Sequence, residues 1–202
     1  MTADCIVLAS ASPRRRELLD VLGVCYEVQP AHIDETSIPH ETPRDYACRV
    51  ALAKAHSIHS RLDVVDSYPV LAADTVVVVD GQVLGKPRDD AHATEMLQQL
   101  SGRTHEVYTA VALISAQRDA LTVSRSEVTF RELDLAEIRA YWKTGEPQDK
   151  AGAYAVQGLA AVFIRELKGS FSGIMGLPLY ETAILFTQAG VKYRLAAGNG
   201  NE

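Results

Sequence analysis

The sequence predicts an α/β protein with a mixed central sheet and flanking helices. Three observations carry this. An apolar run over residues 5–9 breaks into Ser-Ala-Ser-Pro and leads straight into a helix-patterned stretch. A valine-rich run ends on Asp80-Gly81, the signature of a tight hairpin. Two further long β-patterned runs are joined by a polar turn at residues 117–119. Strand-to-helix units beside long hairpins imply a sheet with both parallel and antiparallel pairs. With 202 residues, no internal repeat and no linker, the chain is expected to form one domain.

The elements follow in order. Residues 5–9 read as a buried strand. Pro13 suits a first helical turn, with Ser12 as N-cap. Leu18, Leu19 and Leu22 then recur at helical spacing until Gly23 stops the helix. Residues 25–29 read as a strand and residues 32–42 as a polar loop. Thr42-Pro43 opens a second helix that runs to about His59, with Tyr46, Val50, Ala53 and Ile58 roughly in helical period. Residues 69–79 form a strand that returns through the hairpin as residues 82–84. Asp89 caps a helix over residues 89–100, which Ser101-Gly102 ends. Strands at 107–115 and 121–130 precede a helix at 134–143 and a loop at 145–147. Short strands are expected at 154–156 and 161–167, around Gly158. A last helix covers 177–188, and residues 199–201 read as a frayed tail.

Composition narrows the function. A 47% hydrophobic content is enough for a real core. A formal net charge of −6 argues against non-specific binding to DNA or RNA, yet allows a local positive site for a small anion. No apolar run approaches the ~20 residues needed to span a bilayer. No basic segment followed by a long apolar one marks a signal peptide. Cys5, Cys25 and Cys48 are an odd count without CxxC spacing, and two lie in apolar strand-like contexts. They read as reduced core residues, which suits a cytoplasmic protein.

Four stretches could carry chemistry. In Ser10-Ala-Ser12-Pro-Arg14-Arg15-Arg16, free N–H groups at a helix start meet two hydroxyls and planar guanidinium forks. That is either a phosphate site or a solvated basic turn, with Arg16 on the solvent side. The helix dipole disfavours cations there, so a bound anion would relieve a local cost. Asp74 interrupts an almost wholly apolar strand. It is either a structural Asp held by backbone donors or a metal ligand or general base. Lys86, in Val-Leu-Gly-Lys-Pro, returns along the hairpin toward Asp74, or is a plain surface lysine. The small residues around Gln157, in residues 149–158, permit close approach by a ligand, or form a plain loop. Taken singly, Glu35 and Lys54 are unremarkable. The six histidines lack zinc spacing and are expected at the surface. No G-x-S-x-G elbow supports serine catalysis.

Together, LASASPRRRELL, AADTVVVVDGQVLGKP, LSGRTHEVYTAV, GEPQDKAGAYAVQG and GSFSGIMGLPLYET resemble the Maf family of nucleoside triphosphate pyrophosphatases, in order and spacing, from Leu8 to about Thr182. The resemblance implies one two-lobed domain over residues 1–202, related to the inosine triphosphate pyrophosphatases, with an active-site cleft between the lobes. It also implies a divalent cation (Mg²⁺ or Mn²⁺), a homodimer, and hydrolysis of a nucleoside triphosphate to monophosphate and pyrophosphate. By match of position, Asp74 is the acidic residue acting on the attacking water, directly or through the cation. Glu35 is a second functional carboxylate, and the metal ligands are Asp74 and Glu35. Lys54 and Lys86 face the phosphates, and Ser10, Ser12 and Arg15 form the phosphate-binding turn.

Three positions separate branches of that family. Here they are Arg14, Thr75 and Gln157, which resemble the dTTP/UTP branch. The branch acting on 7-methyl-GTP carries Trp, Gln and Glu instead. Gln157 can accept from the N3–H of uracil or thymine and donate to a carbonyl, and Arg14, a donor only, disfavours the cytosine amino group. Modified pyrimidine triphosphates fit the same logic. Two alternatives stay open: a 7-methyl-GTP pyrophosphatase, and a non-catalytic nucleotide sensor, since members of the family have been linked to restraint of septum formation.

Overall fold

The computed structural model describes residues 5–62 and 68–196. The expected tail at 199–201 lies outside the described residues. A seven-stranded mixed sheet organises them. Its strands are β1 (Cys5–Leu8), β2 (Cys25–Val28), β3 (Val70–Val79), β4 (Gln82–Leu84), β5 (Thr104–Ile114), β6 (Asp119–Phe130) and β7 (Ile164–Lys168). The order is β2-β1-β3-β5-β6-β7, with β4 on β3. β1 runs parallel to β2 and β3, and every other pair is antiparallel.

Local punctuation sets the helices. α1 (Pro13–Leu22) has Pro at its first position and ends at Gly23 with φ 65°. α2 (Pro43–His59) is capped by Thr42, whose side chain accepts from the Asp45 N–H. α3 (Asp90–Leu100) and α4 (Leu135–Lys143) are capped in the same way by Asp89 and Asp134. Two helices close the chain, α5 (Phe171–Met175) and α6 (Leu179–Ala189).

The sheet buries both faces. On one, Ala47, Ala51 and Ala55 of α2 lie against Val70, Ala72, Val76, Ala110 and Ala112. Small side chains on both sides let this helix approach the strands closely. On the other face, α1 and α6 bring Leu18, Leu19, Leu185 and Phe186 onto Leu71, Ala73, Val111 and Leu113. Further along that face, α3 and α4 pack on Val77, Val79, Val107, Val128 and Phe130.

The expected elements are present, with differences between residues 145 and 176. Residues 154–156 are buried but pair with no strand, and the Ala155 N–H donates to the Tyr141 hydroxyl of α4 instead. The second expected strand starts only at Ile164, since Leu159–Phe163 coils into a 3₁₀ turn. Glu146–Asp149 and Ala151–Ala153 are also 3₁₀ turns, and α5 is an addition. Gly152, at φ 67°, lies so close to β3 that a Cβ there would meet Val77 at 2.9 Å.

Two side-chain expectations are corrected. Cys5 and Cys25 are neither core residues nor reduced. They are opposite partners on the parallel strands β1 and β2, half-buried and exposed respectively, and form a disulfide. Cys48 is free and half-buried. The reduced-thiol argument for a cytoplasmic setting therefore loses its basis.

His105 is not at the surface either. It is 1% exposed, edge-on to Phe130 and Tyr154, with Nε2 2.9 Å from the Tyr154 hydroxyl. Burial pulls its pKa from 6.5 down to about 4. Between those values the unfolded chain binds a proton that the folded protein refuses. Stability should therefore fall as pH drops through that window, by about 3 kcal/mol from this group. Urea midpoints at pH 7 and pH 4.5 check this: His105→Gln should flatten the dependence, and an unchanged slope would remove His105 as its source.

Candidate active site

One edge of β3 is open in the middle. β1 pairs with it at Val70 and Leu71, and β4 at Val77, Val78 and Val79. Between these, Ala73, Asp74 and Thr75 pair with β5 on the other edge. The gap opens into a cleft of about 710 Å³, and all ten side chains singled out in the sequence line it.

Alternation along β3 sends neighbouring side chains to opposite faces. Asp74 points toward α2, on the face of Ala72 and Val76, and is 7% exposed. There the Lys54 Nζ donates to Asp74 Oδ1 at 2.9 Å and lies 3.0 Å from Glu35 Oε1. Lys54 thus joins two carboxylates from different parts of the chain. The loop bearing Glu35 is held to α2 by Tyr46, whose hydroxyl donates to the Glu35 carbonyl at 2.9 Å.

Thr75 faces the other way, toward α1 and α5. The Arg15 guanidinium fans out across this region. Nε donates to the Gly176 carbonyl at 2.9 Å, one terminal nitrogen to Ser10 Oγ at 3.1 Å, and the other to Thr75 Oγ1 at 3.4 Å. Burial lowers the Arg15 pKa, and the Asp74 charge pulls it partly back. Thr109 stands opposite Thr75 on β5, with its hydroxyl 3.0 Å from Thr75 Oγ1 and 2.7 Å from the Gly173 carbonyl. Thr75 therefore positions Arg15 as well as lining the cleft.

Ser12 occupies the expected N-cap position but makes no capping bond with its side chain. The turn instead folds so that the Ser12 N–H donates to Ser10 Oγ at 3.2 Å. The first-turn N–H groups of α1 are left without a side-chain cap, as an anion site requires. Arg14 lies 3.7 Å from Asp149, which also pairs with Lys150. Lys86 and Gln157 are exposed at the cleft, and neither side chain has a partner among the described residues. Lys86 shares the cleft with Asp74 without touching it.

The charge balance suits a polyanion. Arg14, Arg15, Lys54, Lys86 and Lys150 face three carboxylates, Glu35, Asp74 and Asp149. The cleft is locally positive in an acidic chain. Among the described residues, no three His, Cys, Asp or Glu side chains converge as a metal site. Asp74 and Glu35 nonetheless fit a hard divalent cation. Mg²⁺ commonly takes one or two carboxylates and completes its shell with phosphate oxygens and water. Both carboxylates reach the same Lys54 nitrogen, so both reach one small region of the cleft.

The Maf-like protein family model matches residues 5–189. The chain belongs to the Maf family. A relative from Alkalilimnicola ehrlichii, named dTTP/UTP pyrophosphatase, is 53% identical over 94% of this chain and 95% of its own length. One from Methylococcus capsulatus, with the same name, is 51% identical over 96% and 95%. The solved Ham1 protein of Staphylococcus aureus has a TM-score of 0.46 and 16% identity, covering 62% of this chain and 71% of its own.

Several lining residues of this Maf protein were not singled out in the sequence. Tyr46, Asp149, Lys150 and Gly176 all face the cleft. Asp149 and Lys150 stand in the GEPQDKAGAYAVQG stretch, where only Gln157 drew attention. Gly176 acts through its carbonyl, which no residue-type pattern announces. The GSFSGIMGLPLYET stretch was a signal for it, because two of its carbonyls receive Arg15 and Thr109.

Proposed function

We propose that this Maf protein hydrolyses dTTP and UTP, between the α and β phosphates, to the nucleoside monophosphate and pyrophosphate. The single observation that carries the reading is the Lys54 bridge between Asp74 and Glu35, set in a cleft with a surplus of cations. Arg15, Lys86 and the open start of α1 hold the triphosphate. Asp74 takes the proton of the attacking water. Lys54 neutralises charge on the phosphate oxygens as it builds. Asp74 and Glu35 would hold Mg²⁺ or Mn²⁺, which supplies further neutralisation of the triphosphate.

Base choice falls to Arg14 and Gln157. The free Gln157 carboxamide offers one donor and one acceptor side, matching the N3–H and carbonyl of uracil or thymine. The relatives are named for dTTP and UTP, whose bases carry this N3–H and carbonyl pattern. We read residues 1–202 as one two-lobed domain with the cleft between its lobes, acting as a homodimer on canonical or modified pyrimidine triphosphates.

Pyrophosphate release from dTTP, UTP, CTP, GTP and 7-methyl-GTP, with and without Mg²⁺, tests the reading. Metal-dependent turnover confined to dTTP and UTP is the expected result. Turnover peaking on 7-methyl-GTP would overturn the base assignment. Binding without turnover of any nucleotide would replace the enzyme with a sensor.

A further inference from the structure

Gln157 must meet the edge of a base, yet it sits in irregular backbone between two 3₁₀ turns. Two side chains from outside the cleft lining hold that backbone. Tyr141, near the end of α4, accepts from the Ala155 N–H at 3.2 Å. The Glu146 carboxylate accepts from the Tyr141 hydroxyl at 2.7 Å, the Leu159 N–H at 3.0 Å and the Ala160 N–H at 3.3 Å. These bonds fall two residues before Gln157 and two and three residues after it.

Glu146 also acts as a cap borrowed from elsewhere in the chain. The turn Leu159–Phe163 begins at Gly158, which has no side chain to cap it. The carboxylate supplies the missing acceptor and a negative charge at the turn's N-terminal end. It closes so tightly that a Cβ on Gly158 would collide with the carboxylate. Burial and the bond to Glu146 raise the Tyr141 pKa, so its hydroxyl keeps its proton and the link stays intact.

We propose that Glu146, acting with Tyr141, is a positioning residue for the base-reading Gln157, and so sets affinity for the pyrimidine without touching the nucleotide. This rests on the role given to Gln157 above. Asp74 and Lys54 are carried by β3 and α2 and do not depend on this clamp. Its loss should therefore appear in KM more than in kcat.

The experiment measures kcat and KM for UTP in the wild type, Glu146→Ala, Glu146→Gln, Gln157→Ala and the double variant Glu146→Ala/Gln157→Ala. Glu146→Ala should raise KM on the order of tenfold, the scale of losing hydrogen bonds to a charged group. Glu146→Gln keeps one acceptor oxygen and should recover part of this. The double variant should be no worse than Gln157→Ala, because both changes act through one group. Effects that multiply in the double variant, or an unchanged KM in Glu146→Ala, would overturn the inference. If Glu146→Ala does not fold, Tyr141→Phe keeps the ring packing, removes only the hydroxyl, and enters the same cycle. A wild type that turns over neither dTTP nor UTP overturns the functional reading itself. Wild-type turnover with a multiplicative cycle overturns only the role of Glu146.

Discussion

Asp74→Asn is expected to lower kcat for dTTP and UTP by about two to four orders of magnitude, the range associated with a positioned general base. KM and the fold should stay near wild type. Asn keeps the shape of Asp and an oxygen that can accept from Lys54, where Oδ1 now receives Nζ at 2.9 Å. The backbone of residue 74 remains paired with Ala110 on β5, so the strand does not depend on the charge. What disappears is the ability to take a proton from water and to hold a divalent cation. Arg15, Lys86 and the start of α1 still bind the triphosphate, which is why KM is spared. Pyrophosphate release gives both constants, and a thermal melt checks the fold. Wild-type turnover by a folded Asp74→Asn protein would end the role given to Asp74.

Much of the fold was legible because local residues punctuate it. Pro13 and Gly23 bound α1, Thr42-Pro43 opens α2, and Asp80-Gly81 makes the hairpin at φ 51° and 75°. None of these needs a distant partner. The segment from Gly145 to Gly176 was less legible because distant partners shape it. Tyr154, Ala155 and Val156 have strand-like composition, but the Ala155 N–H is taken by Tyr141 rather than by a neighbouring strand. Gly152 is pressed against Val77, which is remote in sequence. The Cys5–Cys25 pair likewise needs the register of β1 on β2, which no single-strand pattern supplies. His105 was within reach: Val107 points into the core, and period-two alternation puts residue 105 on the same face.

The site divides in the same way. Asp74 announced itself as a charge in an apolar strand, and the SPRRR turn as cations at a helix start. Glu35, Lys54, Lys86 and Gln157 carry no such contrast with their surroundings. Glu35 and Lys54 were found only by resemblance of the whole set, the stretches around Lys86 and Gln157 fitted a plain surface lysine and a plain loop equally well, and the cleft brings all four together with the others. Tyr46, Glu146 and Lys150 act through contacts made by folding, so their types and spacing said little.

Lys54→Met should separate the structural and chemical roles of the same contact. Met retains much of the unbranched stem that Lys54 extends from α2, and removes the ammonium. Asp74, 7% exposed, then faces Glu35 without the cation that joined them. Removing one partner of a buried pair typically costs ~3–5 kcal/mol. Arg15 still faces Asp74 electrostatically and offsets part of that loss, so about 2 kcal/mol is expected at neutral pH. Turnover should fall by about two to three orders of magnitude, because a preorganised charge at the phosphates is gone. The double variant Asp74→Asn/Lys54→Met removes the stranded charge together with its partner. Urea unfolding should show it more stable than Lys54→Met alone, while pyrophosphate release stays as low as in Asp74→Asn. A double variant as unstable as Lys54→Met would mean that the lysine stabilises the fold by packing. Wild-type turnover in Lys54→Met would mean that the Lys54 ammonium takes no part in the reaction.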